Sequence, residues 1–191
     1  MTRYTQAQLE AVLREGVDVQ CRRIYLHGGI NEDAVGRITR GLYVLSTQSE
    51  VKPVELFVSS YGGDLDNAFA LHDVTRTISC PVHTVALGKC MSAAPLLVAC
   101  GQRGHRYATE NTVFMLHNSS IEEFDGSPQQ MQLYSTVCRA QMKTYARLLG
   151  RYTKKPARHW QRMFDRELDR FFTAEQAAEW GLVDSVWSEK D

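Results

Sequence analysis

Four stretches carry residue types able to do acyl-transfer chemistry. Ser92 lies in GKCMSAAP, where a strand pattern gives way to the small residues of a helix. Pro95 then falls in the first turn, where its missing N–H is no loss. A serine at or beside that N-terminus holds its hydroxyl near backbone N–H groups that have no partner within the helix. It can act as a nucleophile, with the oxyanion it creates stabilised close by, although most such serines are only caps. His117 closes VFMLH where a polar loop begins, a position fit for a general base or for an ordinary surface imidazole. Asp169, in ELDRFFT, stands among Asp165, Arg166, Glu167 and Arg170. The two aromatics that follow predict a chain entering the core. That would leave the carboxylate at a boundary, able to orient an imidazole rather than being one more exposed charge. The fourth stretch is SYGGD, whose Gly62 and Gly63 form a predicted turn at a strand's end and let backbone amides approach a ligand.

Several other chemistries lack support. The glycines have neither the P-loop nor the dinucleotide spacing, and no G-x-S-x-G surrounds Ser92. His27, His72, His83, His105 and His159 neither pair with a nucleophile nor form a metal cluster, and His72 with Asp73 reads as a solvated helix face. Five cysteines without a C-x-x-C pair indicate free thiols in a reducing compartment, not a disulfide frame or a zinc site. Lys+Arg and Asp+Glu number 22 each, with no basic block, so no nucleic-acid partner is expected. Apolar runs such as Leu96–Cys100 are far short of a membrane span, and MTRYTQAQLEAVLREG lacks a secretory leader's apolar stretch. Neither a membrane nor export is expected, and the expected location is the cytoplasm.

The elements that must position these residues follow from periodicity. The 191 residues, 43% apolar and 23% charged, suit one domain with a sizeable core. Residues 1–20 are expected to be a helical segment, with Thr5 and Gln8 at capping-box spacing and Gly16 as its stop. RRIYLHG, VELFVSS and VHTVAL read as strands, alternating with helices over Asp33–Thr47, through Ala68–Ile78 and over AAPLLVAC. That order is α/β, with a mainly parallel sheet buried on both faces. After a polar loop, Gln129–Thr153 is one helical run seamed by Met131, Tyr134, Val137, Met142, Tyr145, Leu148 and Leu149. At about 25 residues it spans ~37 Å, and either lies across its own domain or projects to a neighbouring subunit. A helix from Pro156, the helix TAEQAAEWG and the strand LVDSVW finish the chain.

In order and approximate spacing, the stretch from VELFVSSYGGD through GKCMSAAP to VFMLH, with DRFFTAEQAAEWGLVDSV, resembles the ClpP family, the proteolytic subunits of Clp serine proteases. The resemblance runs from about Arg23 to Val186. It implies a ClpP/crotonase-like β-α superhelical fold over residues 21–191, with a protruding handle at about 118–155. It implies Ser92 as nucleophile, His117 as base, Asp169 as acid, and Gly63 and Ala93 as oxyanion-hole amides. No metal or organic cofactor is implied, and ATP would be used only by a partner. Heptameric rings stacked as a homo-oligomeric tetradecamer, a possible Clp ATPase partner and peptide or unfolded-protein substrates are implied as well.

The chain departs from the family pattern at Tyr61, where a proline is usual, and at Asn118-Ser119, where Gln-Pro is usual. The loop SSIEEFDGSP lacks the family's doubled glycine, and nothing matches the N-terminal hairpin, so the chain reads as a shortened, divergent member. Two other readings share the scaffold: a crotonase-like CoA-ester enzyme, and a non-catalytic ring subunit beside an active paralogue.

Overall fold

The computed structural model describes residues 4–119, 125–166 and 168–188. Helix α1 (Gln6–Glu10) starts with the expected capping box, Thr5 and Gln8 bonding reciprocally. It widens into a π-helical turn over Ala11–Glu15 and stops at Gly16 in the left-handed conformation. Strand β1 (Val17–Asp18) then pairs antiparallel with β2 (Arg23–Ile30). Helix α2 (Glu32–Gln48) is capped by Asn31 and buries Val35, Ile38, Leu42 and Leu45, the stripe that its period predicts. Strand β3 (Val54–Gly63) alternates buried with part-exposed residues and leads into α3 (Leu65–Thr77). Strand β4 (Val82–Met91) leads into the six-residue α4 (Ala94–Ala99), buried throughout.

Strands β2, β3 and β4 run parallel, extended by β5 (Arg106–Thr109) on the far side of β4. Strand β4 serves two neighbours in turn. Its first half pairs with β5 through Thr84, Val85 and Ala86; its second half, Lys89–Met91, pairs with β6 (Val113–Leu116). Gly88, with φ of 65°, stands between the two halves in a conformation that suits glycine. GKCMS, expected as a turn, is therefore mostly strand. The Gly62–Gly63 pair, expected as a turn, is likewise the end of β3. In both places paired neighbours supply the backbone partners that local turn chemistry would have supplied.

Helix α5 (Pro128–Tyr152) opens with a capping box from Ser127 to Gln130. Its seam divides: Met142, Tyr145, Leu148 and Leu149 are buried against the domain, whereas Met131, Tyr134 and Val137 are exposed, as is Leu133 beside them at 69%. The inner half lies across its own domain, one of the two expectations for this helix, and the outer half is exposed in the single chain. Helix α6 (Ala157–Phe164) packs on α5, and β7 (Arg170–Phe172) runs antiparallel to β6. Only the second of the two aromatics enters the core: Phe172 is buried and Phe171 is 61% exposed. Helix α7 (Ala174–Trp180) has a Thr173–Gln176 capping box and ends at left-handed Gly181; β8 (Ser185–Trp187) then joins β5.

The described residues thus form a mixed α/β fold with an eight-stranded sheet and seven α-helices. One core cluster runs from Ile24 and Leu56 through Leu96 to Trp160 and Val183. Each fully buried large side chain there contributes about 1.5–3 kcal/mol of transfer free energy. Arg106, 4% exposed, is held by Asp184 and by the carbonyls of Ala99 and Tyr152. His72 differs from expectation: it is buried, its Nδ1 bonded to Asp73 and its Nε2 to the Tyr152 hydroxyl, each at 2.7 Å. Tyr152 closes α5, so the imidazole spans α3 and α5 instead of facing solvent.

Candidate active site

Three parallel strands finish at one edge of the sheet, and this convergence assembles the site. Met91 on β4 pairs with Met115 on β6, and the Ser92 N–H donates to the Met115 carbonyl at 2.8 Å. Ser92, the residue after β4, is thus level with the end of β6, which His117 directly follows. There the Ser92 Oγ lies 2.7 Å from His117 Nε2, within hydrogen-bonding distance. A ligand crevice outside the carboxyl ends of parallel strands is the general expectation for open α/β sheets.

Ser92 is bent sharply, with φ of 57°, a left-handed conformation uncommon in a residue with a Cβ. Such a conformation costs about 1–3 kcal/mol and persists only when its surroundings impose it. Here every polar group of the residue is engaged: N–H with Met115, hydroxyl with His117, and carbonyl with the Tyr145 hydroxyl at 2.7 Å. The end of β3 closes the elbow from behind. A Cβ on Gly62 would fall 2.4 Å from the Ser92 Cβ and 3.0 Å from the Ala93 nitrogen, and φ there is 100°. Only glycine lets β3 approach the elbow this closely. Ala93 is the N-cap of α4, and the proline expected in the first turn is there.

In front of the elbow is a cavity of about 170 Å³, lined by Gly63, Leu65, Ser92, His117, Tyr134 and Met142 among others. Cys138 and Gln141 from α5 also reach it, and Gln141 is tethered by a hydrogen bond from its Nε2 to Asp66 on α3. Asn118 and Ser119 form part of the rim, so the departure from Gln-Pro lies on the wall of this cavity. Tyr61, the other departure, is largely exposed, with the Lys89 ammonium 4.1 Å from its ring centroid.

Asp169 immediately precedes β7, whose Arg170 pairs with Leu116. Continued by one step, the antiparallel register sets Asp169 alongside His117. The Asp169 carboxylate is exposed, and among the described residues no hydrogen bond joins it to the imidazole. Of the five residues singled out from sequence, Ser92, His117 and Gly63 thus line one cavity, Ala93 follows Ser92 as the buried N-cap of α4, and Asp169 immediately precedes β7. The segment 120–124, where the acidic loop was expected to bear on the handle, lies outside the described residues.

Two contributors were not legible in the sequence. Tyr145 read only as one apolar position of a seam, and Gly62 was indistinguishable from Gly63 until the close approach to Ser92 was known. Among the described residues, no group of His, Cys, Asp and Glu could hold a metal ion, and no helix is long and apolar enough to cross a membrane. The five cysteines are free, four of them buried. Compared with known protein families, residues 15–190 match the model of the Clp protease family.

Proposed function

The chain belongs to the Clp protease family, and on that premise we propose that it hydrolyses peptide bonds as a serine peptidase. The observation that carries this reading is the 2.7 Å contact between Ser92 Oγ and His117 Nε2 at the mouth of a cavity. Ser92 Oγ attacks the peptide carbonyl carbon as its proton passes to His117 Nε2. The C–N bond then breaks, and the departing amine takes that proton. Water, deprotonated by the same nitrogen, hydrolyses the acyl ester and restores the Ser92 hydroxyl. Asp169 is the acid that holds the imidazole orientation and stabilises the imidazolium; the β6–β7 register supports this role.

The amides of Gly63 and Ala93 receive the tetrahedral oxyanion, each donor worth on the order of 3 kcal/mol in the transition state. Support for Gly63 comes from its ladder: Asp64 N–H donates to the Ile30 carbonyl, and Ile30 pairs with Gly63. Donors alternate along a parallel strand, which turns the Gly63 N–H away from β2. No cofactor takes part; ATP would be spent only by a Clp ATPase partner that delivers unfolded protein or peptide.

We further propose that the chain assembles into heptameric rings stacked as a tetradecamer. Leu133 and Val137, one turn apart and exposed on the outer half of α5, support assembly, since an exposed apolar patch is otherwise an aggregation hazard. Free thiols fit a reducing compartment, here the cytoplasm.

Hydrolysis of a fluorogenic peptide by the purified assembly, wild type against Ser92→Ala, tests the reading. We expect the substitution to remove about 10⁴-fold or more of the activity. Turnover that survives Ser92→Ala overturns it. A thermal shift with acyl-CoA in an enzyme inert to peptides favours the CoA-ester alternative. Activity seen only after mixing with an active paralogue favours the non-catalytic subunit.

A further inference from the structure

We infer that Tyr145 is a positioning residue for the oxyanion site: by donating its hydroxyl to the Ser92 carbonyl it fixes the plane of the Ser92–Ala93 peptide and so aims the Ala93 N–H. The inference rests on the serine-peptidase reading of this site.

The Ser92 carbonyl and the Ala93 N–H belong to one peptide unit. Partial double-bond character keeps that unit planar, so an anchor on its oxygen end sets the direction of its N–H end. The anchor is the 2.7 Å bond from the Tyr145 hydroxyl. The unit needs one, because it follows a residue at φ of 57°, in a region from which the chain would otherwise relax. Rotation of this peptide would swing the Ala93 N–H out of the crevice while leaving the Ser92 side chain free to keep its bond to His117. The hydroxyl contact blocks that rotation.

Tyr145 is itself held rigidly. It is 2% exposed, and its ring stacks on Phe164 with centroids 5.3 Å apart and planes 25° apart. Burial pushes its phenol well above the ordinary value of 10, so it stays protonated and remains a donor. A donor on the carbonyl also polarises the unit and strengthens its N–H as a donor in turn, by the cooperativity of hydrogen-bond chains. Although Tyr145 lines the cavity, its hydroxyl is committed to Ser92, so its influence on a substrate passes through the Ala93 amide.

Tyr145→Phe in the full assembled chain is the test, because it deletes one oxygen and keeps the ring. Peptide hydrolysis should show kcat lowered about tenfold with KM within twofold, since a misaimed oxyanion donor weakens the transition state and not the ground state. A peptide boronate, whose tetrahedral adduct requires the oxyanion site, should bind about tenfold more weakly. The affinity of an uncleaved peptide, measured in the Ser92→Ala background with and without Tyr145→Phe, should not move. Phe164→Leu is the control that loosens packing but retains the hydroxyl: it should lower the melting temperature and leave kcat within twofold.

Unchanged kcat and boronate affinity in Tyr145→Phe overturn the inference. So does a kcat loss in Phe164→Leu that tracks its loss of stability, which would make Tyr145 a packing residue only. If Tyr145→Phe does not fold, the Phe164→Leu result decides between these outcomes. Wild-type protein that turns over no peptide and binds no boronate defeats the serine-peptidase reading itself, an outcome distinct from equal behaviour of wild type and Tyr145→Phe.

Discussion

The Ser92 hydroxyl and His117 Nε2, 25 residues apart in sequence, meet at 2.7 Å because β4 and β6 run parallel with Met91 opposite Met115. The proposed base and nucleophile therefore depend on one ladder more than on any loop. Asp169 is tied to them by the antiparallel β6–β7 pairing. Asp169→Asn should lower kcat by about 10²-fold or more at neutral pH while leaving KM nearly unchanged, as expected when an imidazole loses the group that fixes its tautomer. Steady-state kinetics on the peptide substrate checks this. A loss within twofold would mean that another group orients His117.

The close approach of β3 to the elbow leaves no room for a side chain at Gly62. Gly62→Ala places a methyl group 2.4 Å from the Ser92 Cβ on a backbone at φ of 100°. Strand or elbow must move, and the Ser92–His117 contact with it. Activity should fall at least about 10²-fold, the scale associated with misplacing a reacting group by 1 Å. Gly88→Ala has open space for its Cβ, since no atom lies within 4 Å, and carries only the positive-φ cost. It should lower stability and preserve most of the turnover; equal activities in the two variants would contradict the role assigned to Gly62.

Three histidines held below their ordinary range contribute to acid sensitivity. Burial holds His72 below the ordinary 6.5, against the opposing pull of Asp73. Burial also lowers His83, with the stacked His105 adding to the effect, and lowers His159, with Lys155 and Arg162 adding. The unfolded chain protonates these rings at higher pH than the folded one does. Their contribution is therefore complete above about 6.5 and is lost as pH falls from there toward the depressed folded values. His159 isolates the effect, because its Nε2 is buried without a hydrogen-bond partner among the described residues while its ring packs edge-on to Trp160 and Trp180. His159→Phe should flatten the decline of melting temperature between pH 7 and 5 without loss at pH 8. A slope identical to wild type would show that His159 takes up no extra proton on unfolding.

The outer half of α5 should be an assembly surface. Leu133→Glu combined with Val137→Glu replaces exposed apolar residues, 69% and 51% accessible, so the fold of the single chain should survive. Light scattering should show the wild type as a large oligomer and the double variant as smaller species. A wild-type chain that runs as a stable 21.7 kDa monomer would contradict the assignment.

Much of this was legible in the sequence because local chemistry and global fold agree. The capping box at Thr5, the apolar stripe of α2 and the proline at the start of α4 all sit where their spacing predicts. What escaped was set by tertiary pairing. GKCM looks like a turn in isolation, but β6 offers it hydrogen-bond partners and makes it strand. His72 looks solvated beside Asp73 until Tyr152, 80 residues on, bonds its Nε2 and covers the ring, while Asp73 stays exposed as expected. In the site, Ser92 and His117 stood out by residue type at element ends. The roles of Gly62 and Tyr145 depend on distances between elements far apart in the chain, which no local pattern encodes.

Covalent labelling by a fluorophosphonate probe, mapped by mass spectrometry of the digested assembly, bears most directly on the proposed chemistry. The account predicts one adduct per chain, carried by the peptide containing Ser92, absent from Ser92→Ala and strongly slowed in His117→Ala. Folded, assembled wild-type protein that never labels, or that labels at a different residue, would contradict it.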